Sequence, residues 1–224
     1  MKRFLKITKN KLGKQFYRGG IFHHTKSYSN FVEKFSQEKY KDKKIINIGS
    51  GGHDQIKNAI NVDPYRGGAN TVKAFGEALP FEDESVDVAL CLAVLEHVRE
   101  PQLIVAEMKR VLKKGGEIYV ATPFLQPFHA APDDYQRWTM NGLRHLLRDF
   151  KELETGVAGG PGSAMAWLAV ETSQIIFGNA LLNRFAKNFV KILVFPLKYL
   201  DALLIKKERA QGVSSALYFH GLKE

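Results

Sequence analysis

The chain has 224 residues, 45% of them apolar and 25% charged, which suits one globular domain with its own core and excludes collagen, coiled coil and disorder. The single cysteine, Cys91, rules out an internal disulfide and any multi-cysteine zinc site, making a reducing compartment the default. The net charge of +10 is uneven: residues 1–44 carry 13 basic and 3 acidic side chains, and the rest is neutral.

Residues 1–43 read as a basic N-terminal arm and helix. Lys2, Arg3, Lys6, Lys9, Lys11, Lys14 and Arg18 lead into Ser27–Tyr40, where Phe31, Val32 and Phe35 fall at helical spacing. Such an arm suits nucleic acid phosphates, an anionic membrane surface, or a solvated leader. No apolar run follows it, so no signal peptide is expected. Lys44–Ile48 is a compact apolar strand running into Gly-Ser-Gly-Gly, Ala59–Val62 is a second strand closed by Asp63-Pro64, and Thr71–Ala74 is a weak third. Val86–Ala93 is apolar throughout, as in a parallel strand covered on both faces. Pro101 opens a helix with Leu103, Ile104, Met108, Val111 and Leu112 on one face, which Lys113-Lys114-Gly115-Gly116 is expected to end. Strand Glu117–Ala121, a helix capped by Thr139 and carried to Phe150, and strands Lys151–Val157 and Val213–Phe219 complete an alternating α/β pattern.

Ile46-Asn47-Ile48-Gly49-Ser50-Gly51-Gly52 puts glycines at a strand's carboxyl end, where a ligand can approach backbone closely. Asp63, ending the next strand, supplies a carboxylate able to accept from ribose hydroxyls. Together they point to a nucleoside-containing cofactor, although the spacing is not the dinucleotide fingerprint. With Asn-Val-Asp-Pro, Glu-Ala-Leu-Pro-Phe-Glu-Asp, Leu-Glu-His-Val and Glu-Met-Lys-Arg-Val-Leu-Lys-Lys-Gly-Gly, the stretch from Lys44 to Thr122 resembles the class I S-adenosylmethionine-dependent methyltransferases of the type 11 group. The resemblance implies a Rossmann-like fold over residues 44–224, with a seven-stranded, mainly parallel sheet whose last strand is antiparallel. It implies S-adenosylmethionine on Gly49, Ser50 and Gly51, its ribose on Asp63, and backbone contact from Leu92. The acid that usually holds the adenine amino group is Phe75 here; Phe75 stacks on adenine instead, or is core with Gly76 making room. Glu77 is a displaced substitute. Only eight residues separate Gly52 from Asn61, so the first crossover is a loop or a single turn.

The acceptor side is sought after the fifth strand, in Phe128-His129-Ala130-Ala131-Pro132-Asp133-Asp134-Tyr135-Gln136-Arg137-Trp138-Thr139. This segment resembles relatives associated with bacterial surface glycans. His129 is the first candidate base, Asp134 would orient it or bind a sugar hydroxyl, and Arg137 would hold an anionic group. The bland reading makes Asp134 a turn cap and pairs Arg137 with an acid. His97 is a second candidate base, with an architectural role for Glu96-His97 as its alternative. One histidine near Asp133 and Asp134 is a poor metal set, and no metal is expected. His23, His24, His53, His145 and His220 read as surface or loop residues.

Residues 158–212 form a helical insertion before the last strand. Met165, Trp167, Leu168, Val170 and Ile175–Phe177 suggest one helix. Ala180–Lys207 suggests another, kinked at Pro196, with Arg184, Lys187, Lys191 and Lys198 as a polar stripe. Its wide apolar face fits a membrane interface, its own domain or a dimer partner. These charges also deny the region the roughly 18 continuous apolar residues of a spanning helix. The expectation is a cytoplasmic S-adenosylmethionine-dependent methyltransferase of a glycan, lipid-linked sugar or related small molecule, docking peripherally on the anionic inner face of the membrane. An RNA methyltransferase served by the arm is the enzymatic alternative, and a non-catalytic nucleoside-binding or assembly protein the other.

Overall fold

The computed structural model describes residues 34–35, 37–51, 56, 58–68, 70–130 and 132–224. The arm before residue 34, most of the Ser27–Tyr40 helix, His23, His24, His53 and most of the first crossover lie outside the described residues. Residues 125–127 and 159–215 form one compact unit, and the remaining described residues form the other.

The larger unit is built on a seven-stranded sheet, counted among the described residues, in the order β3-β2-β1-β4-β5-β7-β6. The strands are β1 Ile45–Ile48, β2 Ala59–Val62, β3 Thr71–Val72, β4 Val86–Leu92, β5 Leu112–Pro123, β6 Lys151–Gly159 and β7 Ala216–Leu222. β1, β2, β3, β4 and β5 pair in parallel, and β7 runs antiparallel to β5 from Pro123↔Ala216 to Glu117↔Leu222. β1 is buried on both faces, which is why it reads as an unbroken apolar run. Its one polar side chain, Asn47, donates to Asn61 Oδ1 at 3.2 Å on β2 and so satisfies a buried amide.

Helix α1, Pro101–Val111, has Pro101 in its first turn and buries Ile104, Val105, Met108 and Val111. It stops four residues before the glycines expected to end it. Leu112 is already extended and paired with Val86, so sheet pairing claims it. Lys113–Gly116 is then an outward bulge, because the next pair is Val88↔Glu117. Gly115 at φ +73° takes the bulge's left-handed position. Helix α2, Met140–Leu146, is capped as expected: Gly142 N donates to Thr139 Oγ1 at 3.2 Å. β7 begins three residues later than expected, since Val213 ends a 3-10 turn, Glu208–Val213. His220 is a correction. It lies buried on β7 with Nε2 2.8 Å from Glu117 Oε2, because the antiparallel register sets it beside that acid.

The smaller unit holds helices α3, Pro161–Thr172, and α4, Ala180–Val194, then a 3-10 segment Phe195–Leu200 and the short α5, Asp201–Leu204. Asp201 is buried and accepts from Gly162 N at 2.6 Å, Ser163 N at 3.1 Å and Ser163 Oγ at 2.6 Å, capping α3 from a distant element. Ile175–Phe177 fall beyond the end of α3 and are exposed. Pro196 turns α4 into 3-10 geometry instead of kinking it. That change of phase brings Lys198 off the expected polar stripe and into the unit, with Nζ 4.0 Å from the Phe195 ring centroid; burial pulls its pKa down. Among the described residues no helix is long and apolar enough to cross a membrane.

Candidate active site

The carboxyl ends of β1 and β2 are stitched together. Gly49 N donates to Val62 O at 2.7 Å, and Gly51 N donates to Asp63 Oδ2 at 2.8 Å. Asp63 Oδ1 also accepts from Tyr65 N at 2.9 Å and Arg66 N at 2.7 Å. The buried carboxylate thus uses three of its roughly four acceptor positions on backbone amides, leaving about one for a ligand hydroxyl. Gly49 sits at φ +66°, and a Cβ there would lie 2.4 Å from Val94 Cγ2. Glycine is required on both counts. Ala93, φ +54° and with its N–H given to Ala121 O at 2.8 Å, is a non-glycine residue held left-handed where β4 ends.

These ends open onto a cleft of about 860 Å³ lined by Gly49, Gly51, Asp63, Tyr65, Phe75 and Gly76, and on the opposite chain segments by Val94, His97, Arg99, Pro132, Asp133 and Tyr135. Phe75 and Tyr65 are 55% and 68% exposed, and their rings meet edge to face at 6.0 Å. Two large aromatics left uncovered beside a buried carboxylate and a backbone cradle fit a purine nucleoside. Phe75 therefore belongs to the cleft, not the core. Gly76 has no side chain because a Cβ would come within 3.0 Å of Ile48 Cγ2 and Ile104 Cδ1. Ser50 is buried beside the cleft, and at the end of β4 the wall is Ala93 and Val94 instead of Leu92. The loop after Gly76 is pinned by α1: Leu79 N donates to Glu107 Oε2 at 2.7 Å, and Arg110 donates to Leu79 O at 3.0 Å and Phe81 O at 2.9 Å.

The segment after β5 divides. Asp133 and Tyr135 reach the cleft; His129, Asp134 and Arg137 do not line it. Arg137 is a correction: both terminal nitrogens of its guanidinium go to Asp134, Nη2 to Oδ2 at 2.7 Å and Nη1 to Oδ1, so the fork is taken by an acid. Asp134 Oδ2 also accepts from His129 N at 2.8 Å, and the Arg137 hydrogen bonds hold its carboxyl down at about 2. Two cations line the cleft, Arg66 and Arg99, and Arg99 Nε donates to Tyr135 Oη at 3.1 Å. His97 faces the cleft; its Nδ1 lies 2.5 Å from Asp133 O, and its ring stands edge to face with that of His129 at 5.4 Å. Tyr65, Val94 and Arg99 carried no motif in the sequence. Only the exposure of Tyr65 after Asp63-Pro64 marks it, and that is a tertiary property.

Residues 43–120 match a methyltransferase domain. A mycobacterial protein described as an uncharacterized methyltransferase, from Mycobacterium tuberculosis, is 48% identical over 58 residues, 25% of this chain and 23% of its own length. The chain thus spans about a quarter of that relative. Among solved structures, an S-adenosylmethionine-dependent methyltransferase from Thermotoga maritima, described as a possible histamine N-methyltransferase, aligns over 100% of both chains with a TM-score of 0.56 and 18% identity. A phosphoethanolamine N-methyltransferase of Haemonchus contortus, solved with S-adenosylhomocysteine, aligns over 88% of this chain and 52% of its own with a TM-score of 0.54 and 11% identity. This chain is thus similar to that methyltransferase family over residues 43–120. Its fold is the Rossmann-like one, and its glycine turn and acid occupy the ends of β1 and β2.

Proposed function

We propose that the protein transfers a methyl group from S-adenosylmethionine to a hydroxyl-bearing small molecule, a glycan or lipid-linked sugar, on the His97 side of the cleft. The observation that carries the proposal is the hydrogen bond from Gly51 N to Asp63 Oδ2, which fuses the backbone cradle and the ribose-binding acid into one wall of an aromatic-sided cleft. Bound S-adenosylmethionine supplies an electrophilic methyl on a sulfonium. Gly49 and Gly51 receive its methionine part, Asp63 a ribose hydroxyl, and Phe75 with Tyr65 the adenine. Arg99, Asp133 and Tyr135 offer hydrogen bonds to acceptor oxygens and hold the nucleophile in line. The acceptor proton leaves towards the imidazole pair, with His97 on the wall and His129 beside it. Asp134 and Arg137 shape the segment that carries His129. The glycan class rests on the resemblance of residues 128–139.

The proposal includes peripheral docking on an anionic membrane. Val190 and Val194 of α4 pack towards Ala166 and Val170 of α3, whereas Phe185, Phe189 and Ile192 are 63%, 64% and 60% exposed. Arg184 and Lys191 lie beside that apolar face, as in a helix seated among headgroups, while Lys187 donates to Gln174 Oε1 at 3.0 Å. Incubation with S-adenosylmethionine and a panel of lipid-linked sugars, followed by mass spectrometry, tests the reading. A methylated sugar with equimolar S-adenosylhomocysteine supports it. Methylation of RNA alone would transfer the proposal to the reading in which the basic arm binds nucleic acid.

A further inference from the structure

We infer that Glu96, His97 and His129 form a binding site for one divalent first-row transition cation. Glu96 and His97 come from the 3-10 turn Leu95–His97 after β4, and His129 from the segment after β5. Each offers one ligand atom, and the three atoms lie within 4.8 Å of one another. His97 Nε2 is 3.6 Å and His129 Nε2 3.9 Å from the same oxygen, Glu96 Oε1. A metal with bonds near 2.1 Å needs ligand atoms roughly 3.3 Å apart, so modest closure completes the set.

The surroundings of Glu96 favour a cation. Asp133 O can only accept, so His97 Nδ1 donates to it and Nε2 is the ring nitrogen turned towards Glu96. Glu96 is 0% exposed, and neither of its oxygens has a hydrogen-bond partner among the described residues. A buried, unpartnered carboxylate is strongly disfavoured unless a positive charge meets it. One of the two histidines has the outer-shell partner that orients a metal-bound ring. His97 Nδ1 is fixed by a backbone carbonyl, whereas His129 Nδ1 has the Arg137 Nη2 donor at 3.4 Å and Asp134 Oδ2 at 3.7 Å. Two imidazoles and one carboxylate suit zinc, iron, cobalt or manganese. The sequence expectation of no metal considered His129 only with Asp133 and Asp134; the fold supplies Glu96 and His97 instead.

The inference uses the same His97 and His129 as the proposed acceptor side. With the cation bound they hold it and do not take the acceptor proton, so the base role belongs to the metal-free protein. Cation binding itself requires no methyl transfer. Its test is Co²⁺ titration of the full chain after chelator treatment, followed by calorimetry and visible absorption. His23 and His24 are replaced by alanine throughout to remove an adjacent histidine pair from the count. One equivalent of Co²⁺ with ligand-field bands, displaced by Zn²⁺, is expected. Glu96→Gln and His129→Ala should each lower affinity by more than about 100-fold. Thermal unfolding of the metal-free variants confirms that they fold. Absence of uptake while S-adenosylmethionine still binds would overturn the metal site. Uptake that survives both Glu96→Gln and His129→Ala would overturn it too. Uptake without S-adenosylmethionine binding would support the site and sink the methyltransferase reading alone.

Discussion

Asp63 does two jobs with one carboxylate. It accepts three backbone amides that shape the turn, and it is the acid proposed to meet the ribose. Asp63→Ala should therefore weaken S-adenosylmethionine binding by about 2–4 kcal/mol and also lower stability by about 1–3 kcal/mol, since the amides lose their acceptor. Calorimetry and thermal unfolding separate the two effects, and unchanged affinity would remove Asp63 from the cofactor. Gly49 is constrained differently, by a left-handed φ and by Val94. Gly49→Ala is expected to destabilise by about 2–4 kcal/mol, combining roughly 1–2 kcal/mol of backbone strain with overpacking. Adding Val94→Ala should recover the packing part only. Full recovery in denaturant titrations would show that φ costs nothing. His97→Ala should slow methyl transfer by about 10²- to 10⁴-fold while S-adenosylmethionine affinity stays within a few-fold. Equal losses in both would return His97 to an architectural role.

At the scale of elements, Glu117 on β5 gathers three partners from separate parts of the chain. Lys34 Nζ lies at 2.9 Å, the Tyr40 hydroxyl donates at 2.7 Å, and His220 of β7 stands at 2.8 Å. Burial pushes the Glu117 carboxyl up, but the hydrogen bonds from His220, Lys34 and Tyr40 together pull it down to about 2. A carboxylate whose folded pKa is depressed stabilises fully above its unfolded value near 4.5 and loses that contribution as pH falls towards 2. Glu117→Gln should thus cost about 1–3 kcal/mol at pH 7, with the gap from wild type narrowing between pH 4.5 and pH 2. Urea unfolding across that range checks it; a gap independent of pH would assign the loss to packing.

For the molecule as a whole, charge and exposed apolar surface combine in the docking proposal. The arm contributes screened attraction of about 1 kcal/mol per basic residue near an anionic surface, and the α4 face contributes burial. Phe185→Asp with Phe189→Asp should abolish co-sedimentation with phosphatidylserine vesicles. Deleting residues 1–20 should weaken it and reduce its dependence on salt. Equal binding to neutral vesicles would discard the electrostatic part.

The sheet was legible because its strands are short apolar runs punctuated by glycine, proline and aspartate, and parallel burial leaves no other use for such runs. Gly49 and Asp63 were legible for the same local reason: a left-handed turn and an acid at a strand end are chemistry that neighbouring residues specify. What the sequence by itself determined is therefore the layered fold and one wall of the cleft. Tertiary structure decided the rest. It ended α1 at Val111 because Leu112 found a partner on β4, and it buried His220 because β7 met β5 in that register. It also gave the Arg137 fork to Asp134 and turned Glu96 towards two histidines from different loops. These outcomes depend on which distant groups meet out of water. Hydrogen bonds and charges gain their weight there, and no spacing along the chain records such meetings.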